Sequence, residues 1–127
     1  MIDHLGLPVS DYARSKAFYL QALAPLGAGL ALEVGAEQTG DRAHAGFGRD
    51  GKPSVWISQA PVGAKMHVAL VADDRAMVDA FHRAALAAGG TDNGTPGLRP
   101  HYHPDYYAAF VLDPDGHNIE AVCHRPG

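Results

Sequence analysis

The sequence predicts a single α+β domain built from two tandem βαβββ modules, whose strands form a cupped, partly closed mixed sheet with the helices outside. The chain has 127 residues, of which 46% are hydrophobic and 19% charged, the size and composition of one globular domain. Segments with strand-like alternation are interleaved with two segments of helical periodicity. When residues 4–27 are shifted by 63 positions, ten of the 24 residues recur, so the chain contains an internal repeat.

The repeat divides the chain into a first module at about residues 1–59, a linker at residues 60–65 and a second module at about residues 66–124. Ser10 or Asp11 caps the first helix and Gly27 ends it, as Ser, Asp and Gly do at helix termini. The elements predicted for the first module are strands at residues 2–9, 30–34, 43–48 and 54–58 and a helix at residues 10–26. Those predicted for the second are strands at residues 66–72, 106–112 and 118–122 and a helix at residues 76–88 capped by Asp73 or Asp74.

Residues 91–105 are rich in glycine and proline, and we expect them to form mostly a rigid loop. The last strand follows the turn Asp113-Pro114-Asp115-Gly116, in which proline and glycine set the backbone. Glu120 lies in the middle of that strand, where glutamate is uncommon. Its carboxylate therefore requires either solvent or a cationic partner.

The charge and composition of the chain argue against several classes of binding partner and location. The net charge is −4 and the ten Lys and Arg residues are scattered, which argues against nucleic acid or an anionic membrane surface as a partner. We expect no secretory signal, because Met1 runs directly into a strand-like segment without the charged and apolar regions of a signal peptide. We expect no membrane span, because the apolar stretch at residues 22–34 is short and interrupted by proline and glycine. The single Cys123 allows no internal disulfide, so a cytoplasmic location is expected.

The repeat places three candidate metal ligands on equivalent strands. His4 and His67 occupy the same position in the two first strands, opposite the apolar face that packs under the helices. By the same alternation Glu120 and Trp56, which correspond in the two last strands, point to the non-helix face. Two neutral imidazoles and a carboxylate suit a divalent ion such as Zn, Ni, Mn, Fe or Co. Taken singly, each would be read as a polar residue on a solvated sheet face; together they favour a metal site.

Trp56 is interpreted as a pocket wall that stacks on a planar or apolar part of a substrate, with a partly exposed interface residue as the alternative. The densest polar and aromatic cluster is the segment 99–107. Its His101 and His103 are candidates for general acid/base catalysis or for contacts to an anion. The interpretation that both are solvated loop residues is equally good. A second metal site there is the weaker option. Further candidates for substrate contacts are Arg99, Tyr106, Tyr107, Arg42 and Phe47.

Only one of Tyr106 and Tyr107 can face the cup, because neighbouring strand residues point to opposite faces. The remaining polar residues are expected to have no functional role. His44 and His82 are expected on the surface, and His117 and His124 in the last turn and the tail. Asp113 and Asp115 are expected to shape the turn and not to act as catalytic acids.

Three segments together carry a family resemblance: "IDHLGLPVSD", "HVALVADD" and "AAFVLDPDGHNIEAV". The chain resembles the vicinal oxygen chelate superfamily, also called the glyoxalase/bleomycin resistance/dioxygenase superfamily, over nearly its whole length. The resemblance implies paired βαβββ modules around a metal, commonly in a homodimer, with His4, His67 and Glu120 at the family's ligand positions. The fourth ligand of the glyoxalase I type, a carboxylate, falls at Trp56. The chain is therefore more similar to members with a three-ligand site.

The resemblance implies three functions. The first is a glyoxalase-like, lactoylglutathione lyase-like lyase or isomerase that binds two neighbouring oxygens of a small substrate, with Glu120, His101 or His103 moving the proton and Arg42 or Arg99 as a possible anchor for a thiol cofactor. The second is a non-catalytic protein of the bleomycin-resistance type that sequesters a small molecule. The third is a non-haem iron dioxygenase, because two His and one carboxylate also suit Fe(II).

Overall fold

A computed structural model describes residues 1–127 as two four-stranded mixed sheets backed by helices. In each sheet the module's first strand is parallel to its last, and the other neighbours are antiparallel. The first sheet has the order β1-β4-β3-β2, with β1 Leu5–Val9, β2 Gly29–Val34, β3 His44–Gly48 and β4 Val55–Gln59. The second has the order β5-β8-β7-β6, with β5 His67–Val71, β6 Thr91–Leu98, β7 Tyr107–Leu112 and β8 Asn118–Cys123. The predicted fold of two βαβββ modules is confirmed.

Three α-helices connect these strands: α1 Tyr12–Ala22, α2 Ala36–Thr39 and α3 Arg75–Ala87. Asp11 and Asp74 are equivalent in the repeat, and each caps its helix by accepting a hydrogen bond from the backbone N–H three residues on. No helix in the chain has the length and apolarity needed to cross a membrane.

A common core joins the two modules. It is one cluster of 21 buried residues that includes Leu7 and Val9 of β1, Phe18 of α1 and Phe81 of α3. Helices α1 and α3 contact each other, and each also contacts strands of its own sheet. Each sheet therefore buries one face under helices, and the candidate ligands lie on its other face.

Two hydrogen-bonded contacts also join the modules, and the repeat relates them. His117 is fully buried; its Nδ1 accepts from the Met66 N–H at 3.0 Å and its Nε2 donates to the Pro8 carbonyl at 2.8 Å. On the other side Arg49 donates to the Val71 carbonyl at 2.9 Å. Pro8 and Val71 are 63 residues apart, which is the repeat shift. Each module's last turn thus binds the end of the other module's first strand.

The aspartates of the last turn strengthen the contact around His117. Asp113 accepts hydrogen bonds from the buried Tyr19 hydroxyl at 2.6 Å and from the His117 N–H at 2.8 Å. Asp115 accepts from the Ser10 N–H at 3.1 Å. The expectation that His117 has no role was wrong, because a histidine after the turn can reach across to the other module, which local sequence does not reveal.

Three other predictions are corrected. The segment 91–105 is not mostly loop: β6 is an edge strand whose register shifts at Gly94 and Gly97 accommodate its proline. The first helix stops at Ala22 and tightens into a 3-10 turn at Ala24–Leu26, because Pro25 has no N–H to donate. His82 is buried and lies 2.9 Å from an Asp92 oxygen, so it joins α3 to β6 and is not a surface residue.

Candidate functional site

Glu120 lies on the non-helix face of the second sheet, and its side chain is only 2% exposed. Its Oε1 lies 2.8 Å from Nε2 of His67, the first residue of the neighbouring β5. Its other oxygen, Oε2, accepts a hydrogen bond from the Tyr106 hydroxyl. Both oxygens of this buried side chain therefore have a partner within hydrogen-bonding distance, as a buried polar group requires.

Tyr106 is the tyrosine that faces this site. Burial raises its pKa to about 12, and the hydrogen bond to Glu120 and that carboxylate's charge act in the same direction. The phenol consequently keeps its proton at neutral pH and remains a donor to Glu120. Tyr107 points to the helices, where its hydroxyl donates to Asp79 at 2.6 Å, so it is not available to a substrate on the other face.

We call the space beside this pair the second cup. It is a cavity of about 400 Å³ lined by His67, Tyr102, Tyr106, Phe110 and Glu120. The rings of Tyr102 and Tyr106 meet edge to face at 5.1 Å, and Phe110 lies 6.2 Å from the His67 ring. The second cup thus combines a carboxylate and an imidazole with an aromatic wall.

The first sheet has its own cavity, which we call the first cup. It measures about 430 Å³ and is lined by His4, Gly6, Val34, Thr39, His44, Trp56 and Ser58. Trp56 is half-buried and lies across Gly46, since a Cβ on that glycine would come within 3.0 Å of the indole ring. His44, which we expected on the surface, belongs to this cup; strand alternation with the buried Ala45 and Phe47 could have revealed it.

The three predicted metal ligands are divided between the cups. His67 and Glu120 lie together in the second cup, whereas His4 lies in the first, with Nδ1 2.7 Å from Asp3. No group of three or more His, Cys, Asp or Glu side chains in this chain is placed to hold a metal. One chain therefore supplies two neighbouring donors, an imidazole and a carboxylate, whose chemistry suits a divalent ion but whose number does not complete a site.

The segment that contains His101 and His103 forms a turn outside the second cup. Both residues are exposed; the His101 ring is tilted by 48° against the Tyr102 ring at 4.1 Å between centroids, and His103 Nδ1 accepts from the Asp105 N–H. Neither imidazole lines the cavity. Tyr102 is the residue of this turn that does, and it stands 63% exposed at the rim.

The remaining predicted contacts lie elsewhere. Arg99 donates to the Thr95 and Gly97 carbonyls and lies over the Phe110 ring at 5.4 Å, so its guanidinium stabilises the strand pair β6–β7. Arg42 is exposed and pairs with Asp41 at 2.9 Å. Phe47 is 1% exposed in the core, because strand alternation turns it to the helix side of β3. None of the three lines either cup.

Comparison with known proteins assigns this architecture to a protein family. The family model described as "Glyoxalase/Bleomycin resistance protein/Dioxygenase superfamily" matches residues 1–121. The paired modules therefore define a known class, and the chain belongs to this superfamily. Members of the superfamily commonly use divalent metals, bind small molecules and often form dimers. No curated protein matches the sequence.

Solved structures agree on the fold. A glyoxalase/bleomycin resistance protein from Albidiferax ferrireducens T118 is 28% identical, with a TM-score of 0.78 over 99% of each chain. A glyoxalase/bleomycin resistance protein/dioxygenase family enzyme from Burkholderia phytofirmans PsJN is 20% identical, with a TM-score of 0.70 over 97% of this chain and 98% of that one. Glyoxalase I from Zea mays is 23% identical, with a TM-score of 0.72, and matches 96% of this chain but 45% of its own length.

Proposed function

We propose that this protein is a glyoxalase-like metal-dependent lyase or isomerase acting on a small substrate with two neighbouring oxygens. The observation that carries the proposal is the Glu120 carboxylate, which is buried against His67 and Tyr106 but borders an open cavity. A buried carboxylate is costly to maintain, and when it lies in a cleft beside an imidazole it is a good candidate for a functional group.

A third metal ligand is needed, and His4 of a second copy of the chain is our candidate. His4 occupies the repeat position of His67 and is exposed in the first cup, which His44 also lines, and its Nδ1 lies 2.7 Å from Asp3. A homodimer in which the first cup of one copy faces the second cup of the other would join the three donors. Strand β1 follows His4 and strand β5 begins with His67, and both lie at the edge of their sheets. The carbonyls of Pro8 and Val71 near their ends are used within the chain, so a second copy would contact the part of each strand nearer its histidine.

A divalent ion at this site would act as a Lewis acid that stabilises an oxyanion on the substrate. The chain's own residues have separate tasks. Tyr106 holds Glu120 through Oε2 and leaves Oε1 directed at His67. Glu120 is the only carboxylate that lines the second cup, so we assign it the transfer of the substrate proton. Phe110 and Tyr102 limit the access of water from the rim.

Metal content is the first test. Protein purified without chelators is compared with the variants His4→Ala, His67→Ala and Glu120→Ala, and with His101→Ala as a matched control outside the cups. We expect each of the three variants to lose the metal and the control to retain it. The same metal content in all five proteins would refute the proposed site.

Mixing variants tests whether the site is shared between copies. His4→Ala and Glu120→Ala would each be inactive alone, but a mixed dimer would contain one intact site. Random reassociation of a two-fold dimer then restores about a quarter of the wild-type activity. A site formed within one chain would give no recovery on mixing.

A second candidate function is metal-free sequestration of a small molecule. It is favoured by the fact that both Glu120 oxygens already have partners and that one chain has no three-donor cluster. This function requires ligand binding that persists after chelation, with the fluorescence of Trp56 as the signal. Loss of that binding on removal of metal would exclude it.

A further inference from the structure

We infer that the first cup is a subsite for an uncharged planar group, so that the part of the substrate that it holds is an aromatic or similarly flat oxygenated group without a carboxylate on its ring. The inference rests on the proposed function for the placement of the reacting oxygens. The subsite itself is formed by residues of one chain.

The first observation is the position of the Trp56 indole. Gly46 is the register partner of Trp56, and the absence of a side chain on it lets the ring lie flat on the backbone of β3. In the second sheet the corresponding pair is Phe110 and Glu120. One face of the indole is therefore covered by the sheet while the ring lines the cavity, which presents a flat surface for another ring to stack on.

The second observation is the charge of the lining. Besides Trp56, the first cup is lined by the polar groups of Thr39, His44 and Ser58, together with His4, and by no Lys, Arg, Asp or Glu. A ring carboxylate held against Trp56 in the first cup would have hydroxyl or imidazole partners but no Lys or Arg, and an unpaired buried charge is strongly disfavoured.

The third observation concerns the two arginines that could anchor a thiol cofactor. Arg99 uses its guanidinium on the Thr95 and Gly97 carbonyls, and Arg42 is exposed and paired with Asp41. Neither side chain lines a cup. The first cup thus selects by shape and hydrogen bonding, with the Ser58 hydroxyl and the His44 imidazole to orient the oxygens of a neutral group. The Thr39 hydroxyl is already bonded to the Arg42 carbonyl at 2.8 Å.

A matched pair of probes tests the inference. Trp56 is the only tryptophan, so its fluorescence reports on the first cup, with calorimetry as a second measurement. The probes are 2-hydroxyacetophenone, a neutral flat ring with two neighbouring oxygens, and the same compound with a carboxylate at ring position 4. We expect saturable quenching by the neutral probe and at least about tenfold weaker binding of the carboxylate, which corresponds to one missing ion pair. Equal or tighter binding of the carboxylate would overturn the inference.

Variants make the charge argument specific. Thr39→Lys places a cation in the first cup and should restore binding of the carboxylate probe, whereas Thr39→Met, of similar length but uncharged, should not. Trp56→Leu should weaken binding of the neutral probe in calorimetry. If Thr39→Lys fails to improve carboxylate binding, or if Trp56→Leu binds the neutral probe as the wild type does, the subsite is not in the first cup.

The titrations are repeated on chelator-treated and metal-loaded protein to separate this inference from the proposed function. Preference for the neutral probe in chelated protein, together with unchanged metal content in the ligand variants, supports the subsite and refutes the metal-dependent reaction. Loss of metal in those variants without any preference between the probes supports the reaction and refutes the subsite.

Discussion

Replacing His117 with Ala should destabilise the whole domain, because this one imidazole joins the two modules. The substitution removes the acceptor of the Met66 N–H and the donor to the Pro8 carbonyl. The imidazole is fully buried, whereas Met66 is exposed and Pro8 half-buried, so water can reach part of each group left unpaired. At about 0.5–1.5 kcal/mol for each hydrogen bond, the two together cost about 1–3 kcal/mol. That is a substantial share of the roughly 5–15 kcal/mol by which a domain is stable.

Urea denaturation followed by far-ultraviolet circular dichroism measures this change. The control is His101→Ala, whose exposed side chain should alter the unfolding free energy by no more than about 0.5 kcal/mol. The sister contact offers a graded comparison. Arg49→Met removes the hydrogen bond to the equivalent carbonyl of Val71 together with those to the Leu26 carbonyl and to Asp73. The Arg49 side chain is 37% exposed, so the loss per hydrogen bond should be smaller than in His117→Ala. A loss below about 1 kcal/mol for His117→Ala would show that this imidazole does not hold the modules together.

Three further outcomes are expected. Tyr106→Phe should lower metal affinity about tenfold in a calorimetric titration, because residues that orient a metal ligand contribute at this scale, and an unchanged affinity would contradict the role given to Tyr106. Tyr19→Phe leaves Asp113 with one donor fewer and should cost about 1–3 kcal/mol in urea unfolding. Burial acts to raise the pKa of Asp115, but hydrogen bonds from Ser10 and the nearby Arg14 charge hold it below the ordinary value of 3.8. The stabilisation of the folded state by this carboxylate is therefore present above that value and is lost as the pH falls through the lowered pKa. Asp115→Asn should accordingly weaken the dependence of the unfolding free energy on acid pH.

The repeat made most of the fold predictable. A shift of 63 residues relates the helix caps Asp11 and Asp74, and strand alternation correctly separated Leu7 and Val9 from the opposite face. The same alternation indicated that Glu120 and one of two tyrosines share a face, and the structure brings Tyr106 to it. Local periodicity and turn chemistry were sufficient for these features because they depend only on residues close in sequence.

Other features depend on contacts between distant segments, which a single sequence does not contain. Proline and glycine in residues 91–98 predicted a loop, yet an edge strand tolerates both where its register shifts. Equivalence in the repeat was taken to mean that His4 and His67 converge. It states only that they occupy similar positions on similar sheets, and the packing of α1 against α3 leaves each histidine in its own cup.

The two cups differ at two residues that are register partners on neighbouring strands. Because both members of the pair differ, the two cups are not chemically equivalent. In the first sheet the residue on the last strand is large, Trp56, and its register partner Gly46 is small; in the second the last strand carries Glu120 and the partner is the aromatic Phe110. Each pair provides one aromatic ring next to its cavity, so the aromatic wall is kept while the carboxylate is confined to the second sheet. A chain with this exchange has an imidazole and a carboxylate beside one cavity and a flat aromatic surface beside the other. The two can act on a single substrate only if the first cup of one copy meets the second cup of another, which is the association that the mixing experiment measures.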